Sequence, residues 1–100
     1  MKPKIGTKIY VIMHSATSIV KQYVFFLGKE SFMPSADKEF YDGDYNFERF
    51  YDEYGKTWFT TLKQAKEYLN EYYTKYYGEN TKVRIYKEYE DLWEVETQWK

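Results

Sequence analysis

The only histidine in the chain is His14, with Ser15 beside it and Ser18 four positions on. A Ser–His pair becomes a nucleophile only when a third group orients the base and an oxyanion hole awaits the product charge. The spacing announces neither, so His14 reads as a solvated turn residue. Five well-separated glycines give no nucleophile elbow, phosphate loop or dinucleotide fingerprint. Zero cysteines exclude a thiol nucleophile, a thiolate zinc cage and any disulfide. Carboxylates crowd residues 37–53, but abundance without a marked pocket is no basis for acid–base catalysis. The expectation is a non-enzymatic protein with no catalytic residues and no cofactor.

Metal binding has one partial match. Asp42, Asp44 and Asn46, with Glu53 eleven positions after Asp42, copy the first, third, fifth and twelfth ligand positions of a calcium-binding loop. The sixth position, where that loop turns on a glycine, is Phe47, and the eighth, usually apolar, is Arg49. No amphipathic helix precedes Asp42. No metal site is expected.

Two readings of the aromatic residues compete. Phe25 and Phe26 near Lys21 and Lys29, and Tyr86 between Arg84 and Lys87, can stack on unpaired bases, but a stacking platform also needs a basic groove. With two arginines and a net charge of −1 that groove is missing, and nucleic acid is disfavoured. The opposite electrostatic reading is sharper. Residues 37–53 carry seven acids against Lys38 and Arg49, a local −5, interleaved with rings, whereas residues 1–29 carry five lysines and no acid. Carboxylates steer an encounter with a basic protein surface, while Tyr and Phe supply buried anchors. The candidate partner-binding residues are therefore Asp42, Asp44, Tyr45, Phe47, Glu48, Phe50, Tyr51, Asp52 and Glu53. The alternative for any such charge run is a solvated face folded back on the rest of the chain.

The elements that must position these residues are legible in outline. Residues 8–13 and 19–27 are β-branched and aromatic and read as strands joined in a hairpin, the first buried on both faces. Residues 30–33 read as a short third strand stopped by Pro34, which has no N–H for a ladder. Residues 35–55 lack a clean period and read as an acidic, aromatic insertion, with a short helix around 46–53. Residues 56–60 form a further short strand. Thr61 with Gln64 is a capping box opening a helix over about 61–77, and Gly78 stands at its left-handed cap. The stripe of Leu62, Ala65, Tyr68, Leu69, Tyr72, Tyr73, Tyr76 and Tyr77 gives one apolar face, wide enough in aromatic area to serve a homodimer. Residues 82–87 and 92–99 close the chain as a hairpin. The fold class expected is α+β: a bent antiparallel sheet or small open β-barrel of five to six strands, with one amphipathic helix across it.

At 100 residues, a single domain spanning 1–100 is expected. An aromatic content of 23% (13 Tyr, 7 Phe and 3 Trp) excludes a disordered chain, and no apolar run is long enough to span a bilayer. Without a signal-peptide pattern at residues 1–30, the expected location is cytoplasmic and no membrane partner is expected.

The phrases KIGTKIYVI, VFFLGKESF, KTWFTTLKQAK and DLWEVE resemble small uncharacterised accessory proteins of bacteriophages and mobile elements in low-GC Gram-positive bacteria. That resemblance covers most of the chain and brings no catalytic residues. It implies a class of roles that includes anti-CRISPR inhibitors, some of which occupy the nucleic-acid channel of a host defence enzyme. On this footing the expected partner is a host protein with a basic surface. A single-stranded nucleic-acid-binding module and a self-assembling structural component are the alternatives.

Overall fold

A computed structural model describes residues 1–13, 18–41, 48–78, 81–88 and 92–99, with backbone alone for 77, 81–87 and 95–99. Its strands are β1 (Lys8–Met13), β2 (Ser18–Leu27), β3 (Ser31–Ser35), β4 (Arg49–Phe50), β5 (Trp58–Phe59), β6 (Thr81–Glu88) and β7 (Leu92–Trp99). A 3-10 turn (Tyr51–Glu53) follows β4, and helix α1 (Leu62–Tyr77) follows β5. The class is α+β, a curled antiparallel sheet with one helix packed across it. Five strands run β4-β3-β2-β1-β5, and the C-terminal β6–β7 hairpin joins through β7.

β2 is the hub of this sheet. One edge pairs with β1 from Ser18 to Tyr23; the other is divided between β7 at Ser18–Val20 and β3 at Tyr23–Leu27. Its neighbour β1 has both faces buried because successive side chains point to opposite sides of a strand. Ile9, Val11 and Met13 enter one cluster with Val24, Phe32 and Trp58, on which Tyr51 and Tyr54 pack. Tyr10 and Ile12 enter the other, with Ile19, Phe59, Trp93 and the helix residues Ala65, Leu69 and Tyr73. The sheet is thus covered by α1 on one face and by the turn at 51–54 on the other. Each fully buried aromatic or aliphatic side chain in these layers contributes about 1.5–3 kcal/mol.

Three local expectations are corrected. β3 does not stop before Pro34 but continues to Ser35, with Pro34 opposite Val24. The backbone of Val24 turns the other way, its N–H donating to Thr7 O at 2.9 Å and its carbonyl accepting from Gly6 N at 2.7 Å. Pro34 therefore faces β2 where no donor is needed, and β4 pairs only at Ser31 and Phe32, leaving the proline on an edge. Second, the helix opens on Thr61, whose Oγ1 accepts from Gln64 N at 3.2 Å, but the Gln64 side chain does not return the bond. It is held instead by Thr60 Oγ1 at 3.2 Å and by the Tyr54 hydroxyl at 3.4 Å. Third, Gly78 has φ +102° and ψ 165°, outside the left-handed helical region though still a conformation that favours glycine.

Within the segment read as an irregular insertion, much is built. The Ser35 hydroxyl donates to Phe40 O at 2.9 Å, and Asp37 Oδ1 accepts from Glu39 N and Phe40 N. Of the short helix expected around 46–53, residues 46 and 47 lie outside the described residues, and the rest holds β4 followed by the 3-10 turn at Tyr51–Glu53. The turn between β2 and β3 requires Gly28, where a Cβ would lie 2.9 Å from the Ser31 carbonyl oxygen.

Candidate functional site

Asp42, Asp44, Tyr45 and Phe47 lie outside the described residues, as do His14 and Ser15. The remaining five candidates divide by where β4 and the 3-10 turn place them. Tyr51 is committed to the fold: its ring lies 6.1 Å from that of Phe32, its hydroxyl donates to Gly28 O at 2.7 Å, and Lys2 Nζ sits 5.8 Å from its centroid. Glu53 is half-buried, with Oε1 accepting from Phe50 N at 3.2 Å. It also attracts Arg49, whose guanidinium is pushed below its ordinary value by burial, with Glu53 opposing that shift. Glu48, Phe50 and Asp52 remain exposed.

Sheet register gives these exposed residues company that sequence spacing concealed. Phe50 stands opposite Ser31, Met33 lies two residues along β3 on the same face, and Phe26 stands opposite Met33. Phe26, Met33 and Phe50 thus share the face turned away from Phe32 and its cluster, on the side of the sheet where α1 packs. α1 lies chiefly over β1, β5 and β6, so this end of the sheet stays open, with Phe26 51% and Phe50 41% exposed. The strip widens because β2 is bulged between Val24 and Phe26. The bulge brings the rings of Phe25 and Phe26 to 5.0 Å, and both reach Tyr41, at 5.4 and 4.9 Å. Phe40, 72% exposed, precedes it.

The border of the strip is acidic. Glu48 Oε2 accepts from the Ser31 hydroxyl at 2.8 Å, which holds one carboxylate beside Phe50. Among the described residues, Asp37, Glu39, Glu48 and Asp52 have no lysine or arginine nitrogen within 4.0 Å. None of these four acids forms an ion pair with a described lysine, although Lys21 and Lys38 share a depression with Asp37 and Glu39. An exposed apolar strip bordered by unpaired carboxylates has the composition of a protein-docking surface.

Sequence reasoning missed Phe26 and Met33 as parts of this surface, because their place depends on a bulge and on strand pairing. The doublet Phe25-Phe26 was the available signal, since adjacent rings in a regular strand point to opposite faces. No protein-family model, curated protein or solved structure matches the chain. No helix among the described residues is long and apolar enough to cross a membrane. No cluster of three potential metal ligands occurs among them either.

Proposed function

We propose that this protein is a non-enzymatic binding module that masks a basic, nucleic-acid-binding surface of another protein. The phage-protein resemblance makes a host defence protein the expected target. The observation that carries the reading is the open strip of Phe26, Met33 and Phe50 beside Glu48, with Asp52 exposed and, among the described residues, no cation within 4.0 Å of either acid. Rings of this kind become anchors when a partner removes them from water, and the carboxylates supply the attraction that brings a basic groove to them. Asp42, Asp44, Tyr45 and Phe47 belong to the same proposed surface by sequence. Tyr51 and Glu53 serve it indirectly, by fixing the turn behind Phe50.

The test is capture from a low-GC Gram-positive lysate with the wild-type chain and with the triple variant Glu48→Lys, Phe50→Ala, Asp52→Lys. The wild type is expected to retain a nucleic-acid-binding protein that an oligonucleotide displaces, and the variant is expected to lose it by at least tenfold, about 1.4 kcal/mol. Capture that survives the triple substitution, or direct binding of the oligonucleotide by the chain itself, overturns the reading.

A further inference from the structure

A second aromatic and acidic surface lies along α1, and it is built differently. Two adjoining depressions of about 240 and 230 Å³ run along α1 and share Tyr68 and Glu71 in their walls. The first begins at Tyr54 and Gly55, and the second ends at Tyr72 and Tyr76. Positions 68, 72 and 76 are one helical turn apart, so their side chains stand in a row. The ring centroids of Tyr68 and Tyr72 are 6.4 Å apart and 27° from parallel, and those of Tyr72 and Tyr76 are 4.7 Å apart. Tyr68 also meets the buried Phe59 at 5.5 Å, which ties the row to the core.

The groove is tied down at its Tyr54 end, and its walls carry Glu67 and Glu71 against Lys75. The Tyr54 hydroxyl, Thr60 Oγ1 and the Gln64 side chain are joined by contacts of 3.2 to 3.4 Å, which fix that wall. Glu71 is exposed and, among the described residues, has no cation within 4.0 Å. Glu67 has only Lys63, at 3.9 Å. Lys75 stands one turn after Glu71, yet its Nζ lies 5.9 Å from the Tyr76 ring centroid and forms no ion pair with that acid. The far end of the row already carries a cation on a tyrosine face, while in the middle Glu71 makes no ion pair among the described residues.

We propose that this groove takes an arginine side chain from an extended basic segment of a partner protein, the guanidinium lying along the exposed edge of the tyrosine row and pairing with Glu71. A planar, weakly hydrated guanidinium satisfies both a ring face and a carboxylate, whereas an ammonium keeps more of its water. Each depression is of the size of one long side chain. The proposal extends the reading of a basic protein partner to a second surface, and its test is independent of the strip around Phe50.

The full chain, isotopically labelled for NMR, is titrated with a nonapeptide of arginine and with one of lysine. Saturable shifts are expected at Tyr54–Gly55 and over residues 67–76, with the arginine peptide bound about tenfold more tightly. Glu71→Gln, at an exposed position that does not support the core, is expected to weaken the arginine peptide about three- to tenfold. Tyr72→Leu, which keeps apolar volume, is expected to do the same. The Glu48, Phe50 and Asp52 triple variant is expected to leave this titration unchanged, so failure here and failure of the proposed masking function are read separately. Equal affinity for the two peptides, shifts confined to residues 48–53, or wild-type binding by Glu71→Gln overturns the proposal. Loss of the groove signals through self-association of the free chain would assign the tyrosine row to a second copy and overturn it as well.

Discussion

Arg49 is a half-buried charge with an unpartnered donor. It pairs in register with the buried Phe32, and its Nε is buried without a hydrogen-bond acceptor. Burial holds its guanidinium below the ordinary arginine value, and the attraction of Glu53 offsets only part of that. Because the folded value is lowered, folding disfavours the charged form at every pH where the unfolded chain is protonated, neutral pH included. Arg49→Met keeps the long stem and removes the charge. The urea midpoint is expected to stay level or to rise, by up to about 1 kcal/mol of stability. A fall of more than that would show that Glu53 outweighs the desolvation. The same neighbourhood explains why single residues were only half legible from sequence. Phe50 and Tyr51 are adjacent rings in one acidic run, yet one is exposed while the other donates its hydroxyl to Gly28 O. That division is made by pairing across β3 and β4, which lie far apart in the chain.

Among the elements, α1 was legible almost to the residue because its signals are local. A threonine cap, a row of apolar positions at spacings of three and four, and a terminal glycine all lie within seventeen positions of one another. The cap is also the simplest element to test. Thr61→Ala removes the acceptor for Gln64 N and is expected to lower stability by about 1 kcal/mol in thermal or urea unfolding, while Thr61→Ser leaves it unchanged. What sequence could not supply was the second half of that box, since Tyr54 and Thr60 hold the Gln64 side chain from outside the helix. Pro34 was misplaced for a related reason. Its effect on a strand depends on which edge its missing N–H faces, and that is fixed by the backbone bonds of Val24 to Gly6 and Thr7.

Across the whole chain, the net charge of −1 conceals sequence segments of opposite sign, +5 over residues 1–29 and −5 over residues 37–53. A partner that meets the acidic end feels a local field far larger than the total implies. The association rate with the captured partner is therefore expected to fall steeply as salt is raised, with little change in dissociation, in stopped-flow or surface-binding kinetics. Phe50→Ala is expected to act in the opposite way, on dissociation. A salt-independent association rate would remove steering from the description. Fold class was legible at this scale because alternating strands and one amphipathic helix leave few layer arrangements. The open strip was not legible, because it exists only where α1 ends and β3 and β4 continue.

The divided edge of β2 reaches further. Ser18–Val20 bonds to Leu92–Glu94, so an early strand completes its hydrogen-bond ladder only with residues near the far end of the chain. During synthesis on the ribosome, Ile19 and its neighbours must wait as an open template until residues 92–94 have emerged. The nascent chain is thus prone to wrong pairing until β7 arrives, and that arrival, rather than the early β1–β2 hairpin, removes the hazard.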